Sequence, residues 1–298
     1  MKDKDIVDFG QRGRYHNSNR LNDLTTKEWL KFQKSWFIHN PPPRGKDVLL
    51  HPAKFPETLV KEFIEFFTKK GQTVFDPMAG TGSTLISAAE SGRNGIGIEL
   101  MPKYYEIAQK RIRSILDQKK LDYFDKEKKE IFLEIFCEDA NNITKLKLPL
   151  VDYVITSPPY WNMLNEAGFE TQKIRSEKGL DVNYSNDLKD LGNIENYEMF
   201  LKSLAEIYDK VYDTVKVGGY MTVIVKNVKK KGTIYPLAWD IAKAISKPTG
   251  RWVLKDEKIW CQDNQSLAPF GYRYVWVSNT FHHYCLNFKK EGEFLKSV

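Results

Sequence analysis

Cysteine is scarce in this chain: Cys137, Cys261 and Cys285 are the 3 among 298 residues. They are odd in number and far apart, which excludes a disulfide framework and a cysteine zinc site. No metal cofactor is therefore expected. No apolar run approaches the length needed to cross a bilayer, so no membrane partner is expected either. The opening residues, MKDKDIVDFG, mix both charges and lack the apolar stretch of a signal peptide. A cytoplasmic location follows as the expectation. Internal repeats and low-complexity linkers are also missing.

Acid is in modest deficit, with 39 Asp and Glu against 46 Lys and Arg, a formal charge of +7. A basic balance favours polyanion partners, though only weakly. Aromatic residues make up 13% of the chain and often neighbour basic ones. That pairing suits base stacking with phosphate contact, although most aromatic side chains simply fill a core.

Residues 1–50 show no sustained apolar period and are expected to form an arm or lid. Within them TTKEWLKFQKSWF predicts a short helix, with Thr25 and Glu28 in capping-box spacing. Residues 51–298 are expected to form one α/β domain. ETLVKEFIEFFTKK, STLISAAES and MPKYYEIAQKRIRSIL have helical periodicity; TVFD, GIGIE, IFLEIF and VDYVIT are strands between them. Such alternation predicts a largely parallel sheet with helices on both faces. The charged run 125–130 predicts a solvated turn. Residues 162–195 break the rhythm as an irregular insertion. A long helix from Tyr197 to Val215 follows, ended by Gly218-Gly219. Then come the strand YMTVIVKNV, the helix WDIAKAIS, and closing strands WVLKDEKIW, YRYVWVS and HHYCLNF.

The segment FDPMAGTGST (75–84) joins a strand to a helix, a ligand-binding place in open α/β sheets. A dinucleotide loop would need a third glycine where Leu85 stands, and a P-loop would need a lysine that is missing. Gly80 and Gly82 leave room for a ligand against the backbone, and Ser83 and Thr84 open the helix whose free N–H groups face it. Asp76 closes the strand and can accept a bond from a ligand ammonium. Glu99 ends the next strand, where an acid can hold both ribose hydroxyls. Asp139 follows a third strand and can accept from an adenine amino group. Three acids at successive strand ends suit a nucleoside with an ammonium tail, which is S-adenosylmethionine. Pro77, Met78, Ala79, Leu100 and Ala140 complete the expected cofactor wall.

VDYVITSPPYW then places Ser157-Pro158-Pro159-Tyr160 after a strand. Two prolines stiffen the turn and remove two donors. Ser157 Oγ and the Pro158 carbonyl can accept from an exocyclic amino group, while Tyr160 stacks on the base. Methyl transfer by direct displacement depends on such alignment. Trp161 extends the apolar wall.

These segments resemble the DNA amino-methyltransferase family, which modifies cytosine N4 or adenine N6. DPMAGTGST is similar to its cofactor loop, commonly Asp-Pro-Phe-x-Gly-x-Gly, with Met78 in place of the aromatic. GRNGIGIEL resembles its second motif. HPAKFPETLVKEFI resembles the segment that closes over the methionine part of the cofactor, which implies roles for His51 and Lys54. The resemblance implies a Rossmann-like class I methyltransferase fold with a mostly parallel seven-stranded sheet. It also implies a DNA partner and, as for some members of the family, a cognate restriction endonuclease. Serine at the first catalytic-loop position is associated in the family mainly with cytosine N4. Here the cofactor motifs precede the catalytic loop, which departs from the commonest order for chains with an HPAKFP-like segment. The cytosine C5 class uses a Pro-Cys loop, and none of the three cysteines follows proline.

A target base must leave the duplex to reach such a loop. Candidate DNA contacts are Arg12, Arg14 and Arg20 in the arm, Lys173, Arg175 and Lys178 in the insertion, and Trp260, Tyr272, Arg273 and His282 near the C-terminus. Three alternatives stay open: adenine N6 as the target, an RNA guanine-N2 methyltransferase, and a non-catalytic nucleic-acid binder on the same fold.

Overall fold

A computed structural model describes residues 5–41, 56–121, 130–161, 189–230, 232–269 and 271–292. Their strands are β1 (Ile6–Asp8), β2 (Arg14–His16), β3 (Trp36–Ile38), β4 (Thr73–Asp76), β5 (Asn94–Glu99), β6 (Leu133–Cys137), β7 (Val151–Thr156), β8 (Val215–Val225), β9 (Val228–Lys230), β10 (Thr233–Tyr235), β11 (Val253–Cys261) and β12 (His282–Lys289). The α-helices, in chain order, are α1 (Thr26–Phe32), α2 (Glu57–Phe67), α3 (Ser83–Glu90), α4 (Pro102–Leu121), α5 (Tyr197–Thr214) and α6 (Leu237–Ile245). None of the described helices is long and apolar enough to cross a membrane.

The central sheet has the order β3-β11-β12-β8-β7-β4-β5-β6. The ladders from β8 through β7, β4 and β5 to β6 are parallel, and β12 is antiparallel to both its neighbours. This is the Rossmann-like, mostly parallel sheet that the alternating pattern predicts.

Period-two burial explains why helices cover both faces. Along β4, Val74 faces one apolar cluster and Phe75 the other. Along β7, Tyr153 and Ile155 face the first while Val154 faces the second. Phe63, Ile64 and Phe67 of α2 fill the first face; Phe200, Leu204, Tyr208 and Val211 of α5 fill the second. Strands buried on both faces read as near-continuous apolar runs, and VDYVIT is one apart from Asp152 near its start.

The sheet has eight strands, one more than expected, and the extra one comes from the N-terminal arm. The helix over TTKEWLKFQKSWF stops at Phe32, and Trp36–Ile38 pairs in parallel with Ile259–Cys261. Non-local pairing overrides helical composition there. The start of α1 is as expected: Thr25 Oγ1 accepts from the Glu28 N–H at 3.3 Å, and Glu28 Oε2 accepts from the Thr25 N–H at 2.9 Å. Phe32 stacks on Phe66 at 4.0 Å, which docks the arm on α2.

Two other expectations change. α5 gives way to β8 at Val215, so Gly218-Gly219 lie inside a strand instead of ending a helix. A Cβ at Gly219 would stand 2.7 Å from Val215 Cγ1 and 2.8 Å from the Asp152 carbonyl oxygen, so glycine permits that close crossing. YRYVWVS alternates like a strand but forms none, because β12 is already paired with β11 and β8, and β11 with β3. The charged-turn residues 125–129 and insertion residues 162–188 lie outside the described residues.

Candidate active site

The chain runs β4, β5, β6 in one direction across the sheet, then returns to place β7 on the other side of β4. Ligands in open α/β sheets bind at such a reversal, outside the carboxyl ends of the strands. The loop after β4 carries the glycines and the loop after β7 carries Ser157–Tyr160. The reversal therefore sets the two motifs side by side.

The glycine loop is braced from within. Gly80 and Gly82 take positive φ, 54° and 81°, and Gly82 caps α3. The Ala79 N–H donates to the Ile98 carbonyl at 2.8 Å, and the Gly80 N–H to Glu99 Oε2 at 2.8 Å. Asp76 is buried beneath this loop. Its carboxylate accepts from the Thr84 hydroxyl at 2.6 Å and the Met78 N–H at 3.0 Å. Burial pushes the Asp76 carboxyl up to about 6, against those hydrogen bonds. Both carboxylate oxygens thus hold the loop itself, and Asp76 does not line the cleft above it.

That cleft holds a cavity of about 110 Å³ that opens to solvent. Its walls include Pro77 to Thr81, Ser83, Glu99 to Met101, Glu138 to Ala140, Ser157 and Pro159. Glu99 is buried at its base. Glu99 Oε1 accepts from the Met101 N–H at 2.9 Å, which leaves each oxygen a further lone pair for a ligand hydroxyl. Burial pushes the Glu99 carboxyl up to about 7, opposed by the Met101 and Gly80 donors and reinforced by Asp76 and Asp190. Asp139 caps a 3-10 turn through the Asn141 N–H at 2.8 Å and lines the same space, as does Ala140.

Glycine at position 97 allows β5 to approach the loop. A Cβ there would stand 2.8 Å from Leu85 Cδ1 and 2.9 Å from Ala79 Cβ. Gly97→Val is expected to lower stability by about 1–3 kcal/mol through overpacking, measured by denaturant unfolding. A variant as stable as the parent would show that the loop can yield at no cost.

Ser157 is half-buried, and its hydroxyl donates to the Tyr160 hydroxyl at 3.4 Å. Burial pushes the Tyr160 phenol up to about 12, so it stays protonated. Pro158 is buried behind Ser157. Trp161 takes φ 35° and turns inward, donating to the Glu195 carbonyl at 3.2 Å. It packs on Tyr197 and Tyr235 at 4.9 and 4.7 Å, with the Lys230 ammonium 4.4 Å from its ring centre. The loop is thereby clamped from behind, and Trp161 does not line the cleft.

The structure also brings in residues that sequence reading passed over. Lys189, Asp190 and Leu191 close one side of the cleft, and Tyr104 and Glu138 another. Asp190 is buried and caps the turn 191–193 through the Gly192 N–H at 2.8 Å. Its signal, Asp-x-Gly within an irregular stretch, is that of an Asx turn. Gly82 and Thr84 support the loop without lining the cleft. Arg273, with φ 78°, lies on the loop between β11 and β12 and is not among the described residues that line the cleft. His51, Lys54, Lys173, Arg175 and Lys178 lie outside the described residues.

Among the described residues that line the cleft, Glu99, Glu138, Asp139 and Asp190 stand against one lysine, Lys189, although the whole chain is basic. An acid-lined cleft fits a cation, and acceptors beside a glycine loop fit a ribose. S-adenosylmethionine combines both features.

Sequence comparison finds methyltransferase relatives. Residues 7–110 match the sequence model of the DNA methylase family N6_N4_Mtase. Type II methyltransferase M.BglI of Bacillus subtilis is 31% identical over 131 residues, covering 41% of this chain and 37% of its own length. Orphan methyltransferase M.BamHII of Bacillus amyloliquefaciens is 32% identical over 110 residues, covering 36% of this chain and 40% of its own. The chain thus spans well under half the length of these relatives. Among solved structures, an rRNA methylase from Streptococcus thermophilus overlays 79% of this chain and 94% of its own, with 10% identity and a TM-score of 0.41. Through the stretch that carries the arm, the glycine loop and Glu99, this chain matches the DNA amino-methyltransferase family.

Proposed function

We propose that the chain is an S-adenosylmethionine-dependent DNA methyltransferase of the restriction-modification type, acting on the exocyclic N4 of cytosine. The observation that carries this reading is the meeting of an acid-lined cleft with Ser157 and Pro159 in one wall. The bound cofactor supplies an electrophilic methyl carbon on a positively charged sulfur. The protein's part is to hold two reactants in line.

In this reading Glu99 holds the ribose and Asp139 accepts from the adenine amino group. Asp76 acts through the loop it braces. Ser157 Oγ and the Pro158 carbonyl accept the two amino hydrogens of the target base. That pairing draws the nitrogen lone pair away from the ring and towards the methyl group. Tyr160, protonated throughout the physiological range, supports the Ser157 hydroxyl. The family association of serine at the first loop position favours cytosine over adenine.

Purified protein, unmethylated bacterial DNA and methyl-labelled cofactor test this directly. Nucleoside mass spectrometry is expected to find N4-methylcytosine. N6-methyladenine alone would reassign the base, and label entering transfer RNA but no DNA would replace the DNA reading with an RNA one.

A further inference from the structure

The loop 262–281 between β11 and β12 exposes rings that proteins usually cover. Tyr272, Tyr274 and Trp276 are 71%, 90% and 88% exposed. They are nonetheless held in place. The Gln262 N–H donates to the Phe281 carbonyl at 2.7 Å, and Asn279 bridges both backbone groups of Ala268 at 3.0 and 2.8 Å. Gly271, with φ 73°, accepts from the Tyr274 and Val275 N–H groups at 3.0 and 2.9 Å. A Cβ at Gly271 would stand 2.4 Å from the Val275 carbonyl oxygen, so that turn needs glycine. Large exposed apolar groups on a hydrogen-bonded loop mark an interaction surface.

Charge and position say what the partner is. The loop's one acid, Asp263, accepts from the Asn40 amide at 2.7 Å. The adjoining segment 226–235 contains no acid, and Lys226, Lys229 and Lys230 lie in it. The Lys229 ammonium donates to the Ser278 carbonyl and, at 3.0 Å, to its hydroxyl, tying the basic hairpin to the aromatic loop. Lys226 and Lys229 add to burial in pushing His282 down, a sign of the positive field there. Lys230 lies over Trp161, the residue that follows the catalytic loop. The hairpin thus touches both Trp161, next to the catalytic loop, and Ser278, on the aromatic loop.

We propose that this surface is a DNA-binding platform, where unpaired bases stack on Tyr274 and Trp276 and phosphates meet Arg273 and Lys229. It rests on the DNA-methylation reading above. A base-modifying site needs its target unstacked, and aromatic rings among cations bind single strands without needing a particular sequence. Arg273, 5.7 Å over the Tyr272 ring, joins charge to ring on one turn.

The test uses the full chain and a labelled single-stranded DNA oligonucleotide followed by anisotropy. Removing a stacking ring weakens binding roughly 5- to 150-fold, so Tyr274→Ala and Trp276→Ala should each do so and raise KM for DNA. Affinity for S-adenosylmethionine and the melting temperature should stay as in the parent. Arg273→Gln should lower the slope of log affinity against log salt by about 1. Trp239→Ala, which removes an exposed ring on α6, should change nothing. Unchanged DNA affinity and KM in the ring variants, with a parent that methylates DNA, would overturn the platform and leave the methylation reading standing. RNA bound in preference to DNA, or ring-dependent self-association in place of DNA binding, would also overturn it. A parent that binds DNA through these rings yet transfers no methyl would support the platform and sink the methylation reading.

Discussion

Ser157→Ala is expected to slow methyl transfer about 100- to 1,000-fold, the usual cost of losing one preorganised hydrogen-bonding group at a reacting atom. The substitution removes one oxygen and little else. Pro158 and Pro159 keep the turn rigid, and Trp161 still anchors it through the Glu195 carbonyl. Affinity for S-adenosylmethionine should therefore fall by no more than about tenfold, since neutral hydrogen bonds are worth only about 0.5–1.5 kcal/mol net. Single-turnover kinetics and calorimetry separate the two effects. Lost cofactor binding with little change in the chemical step would put Ser157 in the cofactor pocket and take it out of the reaction.

Glu99→Gln should be the most damaging change to cofactor affinity, about 100-fold or more. The carboxylate already accepts from two backbone N–H groups, Gly80 and Met101. A glutamine offers one oxygen and one NH2, so one of those N–H groups would face another donor. Each charge-assisted bond lost costs about 1.5–3 kcal/mol. The loop loses its tie to β5 at the same time as the ribose loses its acceptor. Calorimetry that found parental affinity would remove Glu99 from the cofactor site.

Glu99 also sets a pH dependence with a definite sign. Its carboxyl is pushed up to about 7 in the free protein. Ligand hydroxyls and a positive sulfonium favour the ionised form, so binding lowers that value and expels a proton. Affinity should fall as pH drops below about 7, and titrations at pH near 6.5 in buffers of different ionisation heat should report proton release. In Glu99→Gln that release should vanish. For the free protein, Asp76 and Glu99 both sit above their ordinary values of 3.8 and 4.5. Their contribution to stability is full below those values and is lost as pH rises through about 6 and about 7.

Much of this site is legible in the residues because its acids stand at strand ends. TVFD and VDYVIT occupy the expected positions to the residue, since each is a short, largely buried segment bounded by loop chemistry. Asp76, Glu99 and Asp139 follow from those ends, and Thr25 with Glu28 fixes the start of α1. What sequence did not carry was set by partners far along the chain. Trp36–Ile38 becomes a strand only because β11 offers an edge, and YRYVWVS stays a loop because the neighbouring edges are taken. Asp190 enters the cleft only after the chain has returned from the catalytic loop. The internal use of the Asp76 carboxylate was equally hidden, since strand ends give a residue's place but not its hydrogen-bond partners.

The most direct measurement is expression of this chain in a host whose DNA carries no methylated bases, followed by single-molecule sequencing and nucleoside mass spectrometry. N4-methylcytosine should appear at a defined sequence with the parent chain and disappear with Ser157→Ala. Host DNA left free of methylated bases by an expressed, folded parent chain that binds S-adenosylmethionine would contradict the assignment of Ser157–Tyr160 as a DNA-methylating loop.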